Sequence, residues 1–504
     1  MSLEKRVKER IDHNLDQMVK NPYEKKKPFP MWAKIAIPIS STVLTVGLVL
    51  GLISLPMTIN RHNGFKDAAN QTHRLTTPKL EKVTKTQNRN MSSITYDSYC
   101  AFAKKFTSLM MEVNNKENEG SLGISIPDAY LCLAITGAIS TDAARNDVLS
   151  YLELNNMDEL RTSVKEIIVT LGTLYENGDG KLVGGYNLNS VWFNPNKVSL
   201  IKEKDEQLYK DLEEVFDASL YLDALTSAQA NNYLKKNGLK DMPVPKIKLN
   251  DDDPSAINAM STYYCLDSFD EMTKQIYLEQ FKSGKHKMDY VVNNNTSKVD
   301  YISQSNEGYV YEGDNFYGST LSIGGALNMT YYLPNEQNAM PSTILGDVLN
   351  QNYHLKNSSY YDEDENKTKE TNYHRVTINA PYFSLDNDPE LKYENLSKVL
   401  PIITKYGAGE RIATSNDGYP MYLDYIKQFS VMRFNYDGFY SCSVTISGID
   451  AESARRDPEY EEFNLILNHP YVFEVQKRVI VDDNYPTKNI PLVIGEIVKP
   501  NYQD

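Results

Sequence analysis

The sequence predicts an α+β domain behind one N-terminal transmembrane helix, and three observations carry that prediction. Residues 35–60 hold no charged side chain. From Tyr96 apolar residues recur at helical spacing, and late in the chain the hydrophobic period becomes two. Helices gathered early and strands gathered late are the arrangement of an α+β fold.

The chain divides into a cytoplasmic segment 1–34, a transmembrane helix 35–59, a flexible stalk 60–92 and a folded domain 93–500. The span meets the roughly 20 apolar residues that a bilayer core requires. Pro38 and Pro56 stand near its ends, where proline disturbs a helix least, and Trp32 precedes it at the interface. A cleaved signal peptide would be shorter and closer to residue 1. Lys20, Lys25, Lys26, Lys27 and Lys34 crowd the near flank, against the sparser Arg61, Lys66 and Arg74 beyond. Retention of positive charge places the amino terminus in the cytoplasm and the domain outside the cell membrane. Val7, Ile11, Leu15 and Met18 lie at helical spacing, which fits a helix on the inner leaflet or an isolated solvated one. The stalk is rich in Asn, Thr, Lys and Gln, with too few apolar anchors to fold alone.

Within the domain, Tyr99, Phe102, Phe106, Leu109 and Val113 mark a first helix. A second follows over Asp128–Thr136 and a third from about Thr141 to Leu152, opened by Thr141 without a full capping box. Residues 375–379, 430–434 and 492–495 alternate as strands do. The 36 tyrosines suit a sheet-rich fold.

Short motifs then fall in a familiar order. They are Ile126-Pro127 with Thr141-Asp-Ala-Ala-Arg145, Asn189-Ser-Val-Trp-Phe193, Asn258-Ala-Met260, Leu333-Pro-Asn-Glu336 and Ala380-Pro-Tyr-Phe383. The ungapped stretch Met421–Gly438, His469-Pro-Tyr-Val-Phe473 and Gly495–Pro500 complete the series. Together they resemble the serpin family across about 400 residues, as one domain, with Met421–Gly438 matching the helix and strand that lead into the family's hinge. The resemblance implies large mixed and antiparallel sheets, a helical cluster and an exposed reactive loop. It also implies a protease inhibitor: a serine or cysteine endopeptidase cleaves the loop, 438–468 here, and is trapped as the loop inserts into a sheet.

Insertion requires small side chains on the entering face. The hinge begins at Gly438, and with period two one face carries Phe439, Ser441, Ser443, Thr445 and Ser447. Phe439 departs from the small residue usual in inhibitory members, and overpacking there costs about 1–3 kcal/mol. Leu266 stands where the family has tryptophan, and Ile126 and Ala129 replace two serines. With Tyr440, these departures keep a second reading open, a non-inhibitory surface binding or structural protein. The family's usual spacing puts the cut at Glu452-Ser453, while Arg455-Arg456 offers bait to a trypsin-like pocket or is simply solvated.

Other classes find no support. H-E-x-x-H, G-x-S-x-G and the phosphate-loop pattern are absent, so no catalysis is expected. The acidic runs Asp251–Asp253 and Asp362–Glu365 lack calcium-loop spacing, and no metal or cofactor is expected. A net charge of −14 argues against nucleic acid. Cys100, Cys132, Cys265 and Cys442 lie far apart, and their pairing stays open. The expected partners are a protease and a membrane, and the anchor suggests tethered defence of a bacterial surface.

Overall fold

The computed structural model describes residues 90–117, 120–172, 174–176, 182–203, 205–239, 242–324, 327–362, 367–442, 460–482 and 484–501. The predicted cytoplasmic segment, transmembrane helix and nearly all of the stalk lie outside them. Among the described residues, no helix is long and apolar enough to cross a membrane.

The end of the predicted stalk belongs to the domain. Asn90 and Met91 pair in parallel with Ile480 and Val481, and Met91 is buried in the core. Helix α1 (Ser93–Glu117) follows, with Tyr99, Phe102 and Phe106 inward. Phe102 stacks on Phe106 at 5.1 Å and meets Tyr130 edge-on at 5.3 Å, which fixes α1 against the next helix. Strand β1 (Leu122–Ser125) leads into α2 (Pro127–Ala138), whose first residue is a proline that needs no N–H partner there. Next come α3 (Asp142–Tyr151) and α4 (Met157–Leu171). Thr141 caps α3 by position only, since its hydroxyl makes no cap bond, whereas Asn156 accepts from two amides of α4.

Strands β2 (Leu174–Glu176) and β3 (Leu182–Phe193) precede α5 (Glu206–Glu214), β4 (Ala218–Tyr221) and α6 (Ser227–Asn237), the last opened by a Thr226/Gln229 capping box. After β5 (Ile257–Ser268) the chain forms α7 (Glu271–Ser283), a helix that periodicity did not reveal because it buries little beyond Tyr277. Then follow β6 (Lys287–Val292), β7 (Asn295–Glu312), β8 (Phe316–Ile323), β9 (Leu327–Pro334) and α8 (Ser342–Asn350). The last third supplies β10 (Tyr373–Pro381), β11 (Phe383–Asn387), β12 (Ser430–Asn435), β13 (Gly438–Cys442), β14 (Glu462–Ile466), β15 (Tyr471–Val481) and β16 (Asn484–Ile497).

Two sheets organise these strands. The larger runs β1-β16-β15-β9-β8-β7-β10-β14, with β6 also on β7. The second runs β11-β12-β13-β5-β3-β2, with β4 parallel to β3. The Asn189–Trp192 motif explains how β3 is held. Asn189 donates to Phe216 O at 2.8 Å and accepts from Ser261 at 2.7 Å, while the Trp192 ring stacks on Tyr221 at 4.2 Å.

Two expectations need correction. The resemblance implied a helix at the start of Met421–Gly438, but 421–424 is irregular. Its amides turn outward, with Leu423 N donating to Ile403 O at 2.8 Å instead of closing a helical turn. The expected loop 438–468 is strand at both ends, as β13 and β14, so the connection between them spans 443–461. Residues 443–459 of that connection are outside the described residues.

Candidate functional site: a part-filled strand slot

Strands β12 and β13 form a hairpin, with Asn435 opposite Gly438 and Phe434 opposite Phe439. The Asn435 side chain accepts from Asp437 N at 2.8 Å, and Lys274 of α7 pairs with Asp437, so the turn is held from both sides. Gly438 has φ +132°, and a Cβ there would run into Asp267 O and Ser268 Cα. Only glycine fits this position without strain.

On its other side β13 pairs with the end of β5. Gly438, Phe439, Tyr440 and Ser441 stand opposite Ser268, Asp267, Leu266 and Cys265. Phe439 and Ser441 face the core and are buried. The space expected to be missing for the Phe439 ring exists. It is 1% exposed, opposite Phe434, whose own ring lies 6.5 Å from Phe269. Tyr440 occupies the opposite face, where its hydroxyl donates to Pro243 O. Ser441 Oγ is buried and meets no hydrogen-bond partner among the described residues. Asp267 ties the sheet's end together, its carboxylate accepting from Leu327 N and Ser268 N, both at 2.9 Å.

Below Cys265 the arrangement changes. Residues 257–264 of β5 still pair with β3, but no described strand pairs with their other edge. The first six residues of β5 are only half-buried, against full burial for the next five. Across the gap runs Tyr425–Phe429, and between the two edges lies a cavity of about 990 Å³. Helix α2 forms its floor through Asp128, Cys132 and Thr136, and residues 245–250 cover it. That cover is fastened by Asn231 of α6, which donates to Ile247 O at 2.8 Å and accepts from Ile247 N at 3.0 Å. Tyr425 closes the lower end, its hydroxyl 3.2 Å from Asn258 Oδ1 and 3.3 Å from Ser255 Oγ.

The floor carries a polar cluster. Gln428 donates to Ser125 O at 2.7 Å and to Asp128 at 3.3 Å, and accepts from Ser125 N at 2.9 Å. Ser125 Oγ also donates to Asp128. Burial pushes the Asp128 carboxyl up to about 7, against hydrogen bonds from Ser125 and Gln428 that favour its ionised form. Burial likewise raises the Cys132 thiol to about 12, leaving it unreactive at neutral pH. Ile126 and Ala129, expected beside this region, are buried on the same helix turn.

Of the residues expected at the hinge, Gly438, Phe439 and Ser441 come together in β13. Ser443 and Thr445 lie outside the described residues, as do Glu452, Ser453, Arg455 and Arg456. The sequence reading missed Asp128, Gln428 and Tyr425. One signal was available, since Asp128 is the sole charged residue in an otherwise apolar helix. Among the described residues no cluster of His, Cys, Asp and Glu is placed to hold a metal, and Cys100, Cys132 and Cys265 are free thiols.

No protein-family profile and no curated protein matches the sequence. Solved structures do match. Serpin48 of the insect Tenebrio molitor aligns with TM-score 0.53 at 15% identity, covering 81% of this chain and 98% of that one. Tengpin, a thermophilic serpin in its native state, gives 0.55 at 15%, covering 84% and 97%. Arabidopsis AtSerpin1, in its native stressed conformation, gives 0.55 at 16%, covering 81% and 98%. The chain therefore carries a serpin-like fold of large sheets and helices.

Proposed function

We propose that the chain is a serpin-type inhibitor that traps a serine or cysteine endopeptidase by inserting its cleaved loop into the slot beside β5. One observation carries this reading: β13 already pairs with the upper end of β5, and the edge of β5 below it, which no described strand pairs, lines a cavity of about 990 Å³. Continuing the β13 register would set Ser443 opposite Tyr263, Thr445 opposite Ser261 and Ser447 opposite Ala259. These small side chains share the inward face of Ser441. The strand would end near Ile449 opposite Ile257, leaving Glu452-Ser453 and Arg455-Arg456 beyond it as bait. The relation to serpins of known structure supports the same class of activity, with a target protease as partner and no catalysis by the chain itself.

We further propose that residues 35–59 anchor the inhibitor in a cell membrane, with the domain outside, as the charge-free span and its basic flank support. A second reading, a non-inhibitory binding scaffold, draws on Tyr440, whose bond to Pro243 makes the hinge a settled part of the sheet.

Incubation with trypsin, a chymotrypsin-like and a subtilisin-like protease tests the proposal. Trapping yields a covalent complex that survives denaturation, with the cut between 447 and 459. Cleavage with neither complex nor a rise in melting temperature would leave the scaffold reading in its place.

A further inference from the structure

Four tyrosines form a row beside the larger sheet, two on its strands, one just before β14 and one on the separate two-stranded sheet of Ser358–Asp362 and Lys367–Thr371. The antiparallel register of β7 and β10 sets Tyr309 directly opposite Tyr373. Their ring centroids are 4.4 Å apart, and Tyr309 Oη donates to Tyr373 Oη at 2.8 Å. Tyr460 lies 6.1 Å from Tyr373 and 5.6 Å from Tyr360, with which it also forms an isolated β-bridge. Burial explains most of the large tyrosines in the core, but Tyr309 and Tyr373 are 37% and 39% exposed. An exposed cross-strand pair of this kind adds only about 0.2–1 kcal/mol to a sheet. Its chemistry is more distinctive than its packing.

We propose that Tyr309 and Tyr373 are an oxidative coupling site, joined as a dityrosine by hydrogen peroxide and a haem peroxidase. Each phenol loses one electron and one proton, which leaves a radical with spin on the carbons ortho to oxygen. The two radicals share their unpaired electrons in a new carbon–carbon bond between ortho positions. Each ring then moves its ortho hydrogen to oxygen and regains aromaticity. Two phenols and one peroxide thus give one dityrosine and two waters, the phenols being oxidised and the peroxide reduced.

The geometry favours this pair over others. Hydroxyls in hydrogen-bond contact on rings 4.4 Å apart hold the two phenols side by side, and a held pair reacts at high effective concentration. Exposure admits the oxidant. Tyr419 and Tyr422 are more open, at 77% and 54%, yet neither has a ring partner among the described residues. The bond would fasten β7 to β10, the strand on which β14 pairs after the proposed bait loop. It rests on the sheet register and not on inhibition.

The test treats the full chain, purified in detergent, with hydrogen peroxide and a haem peroxidase. Dityrosine fluorescence and peptide mapping follow, alongside Tyr309→Phe and Tyr373→Phe variants. The expected product is an intrachain link between the peptides carrying 309 and 373, two hydrogens lighter than their sum. In either variant it drops to background, while unchanged melting curves show that the fold is kept. Absence of dityrosine in the parent chain, equal yield in Tyr309→Phe, or coupling mainly between chains through Tyr419 or Tyr422 would overturn the proposal.

Discussion

At Gly438 a single missing methyl decides whether the hinge lies flat against β5. Its φ of +132° and the closeness of Asp267 O mean that Gly438→Ala meets both torsional strain and a clash. A loss of about 1–3 kcal/mol in chemical unfolding is expected. Asp128 sets a different dependence. Its folded pKa, about 7, stands above the ordinary 3.8, so the folded chain holds a proton that the unfolded chain has released. Its contribution is most favourable below the unfolded value and is lost as pH rises through the folded one. Asp128→Asn is therefore expected to gain about 2–4 kcal/mol over the parent near pH 8 and almost nothing near pH 4. Unfolding curves at both pH values check this, and a difference that does not change with pH would refute it.

Among the elements, those with a strong single period were legible. Helix α1 betrays itself through Tyr99, Phe102 and Phe106, and β10 and β12 through alternation. Helix α7 was not, because Met272 and Ile276 face outward and no buried stripe forms. The slot itself is illegible in sequence, being a missing pairing between residues more than 150 positions apart. Phe439 was read as an obstacle because its pocket is made by Phe434 and its neighbours in three dimensions. The cover over the slot offers a test at this scale. Asn231→Ala removes both bonds to Ile247, so amide exchange across 245–249 is expected to accelerate, by about tenfold or more for bonds of roughly 1.5 kcal/mol. Unchanged exchange there would mean that packing alone fastens the segment.

For the molecule as a whole, the question is whether the slot accepts the rest of the strand. Thr445→Arg would place a cation on the inward face opposite Ser261, at a desolvation cost of several kcal/mol. The expected outcome is unchanged stability of the uncleaved chain, unchanged cleavage, and loss of the denaturation-resistant complex on gels. Persistence of the complex would show that this stretch does not enter the sheet in the proposed register. The order of nine short motifs was enough to make the fold legible. Phe439 and Ser441 share one buried face, in keeping with period two, but that these residues already pair with β5 was not legible.

The hairpin of β12 and β13 has a kinetic meaning. Zippers are slow to nucleate and fast to propagate, because the first contacts fix many torsions for few hydrogen bonds. Here the nucleus exists before any bond is cut, with four β13 residues already laddered to β5. Growth from Cys442 downward would need no search for a partner strand. Its rate would be set by how quickly the cover lifts and Tyr425 releases Asn258, so the side chains that close the slot, and not those of the loop's first turn, would set the pace.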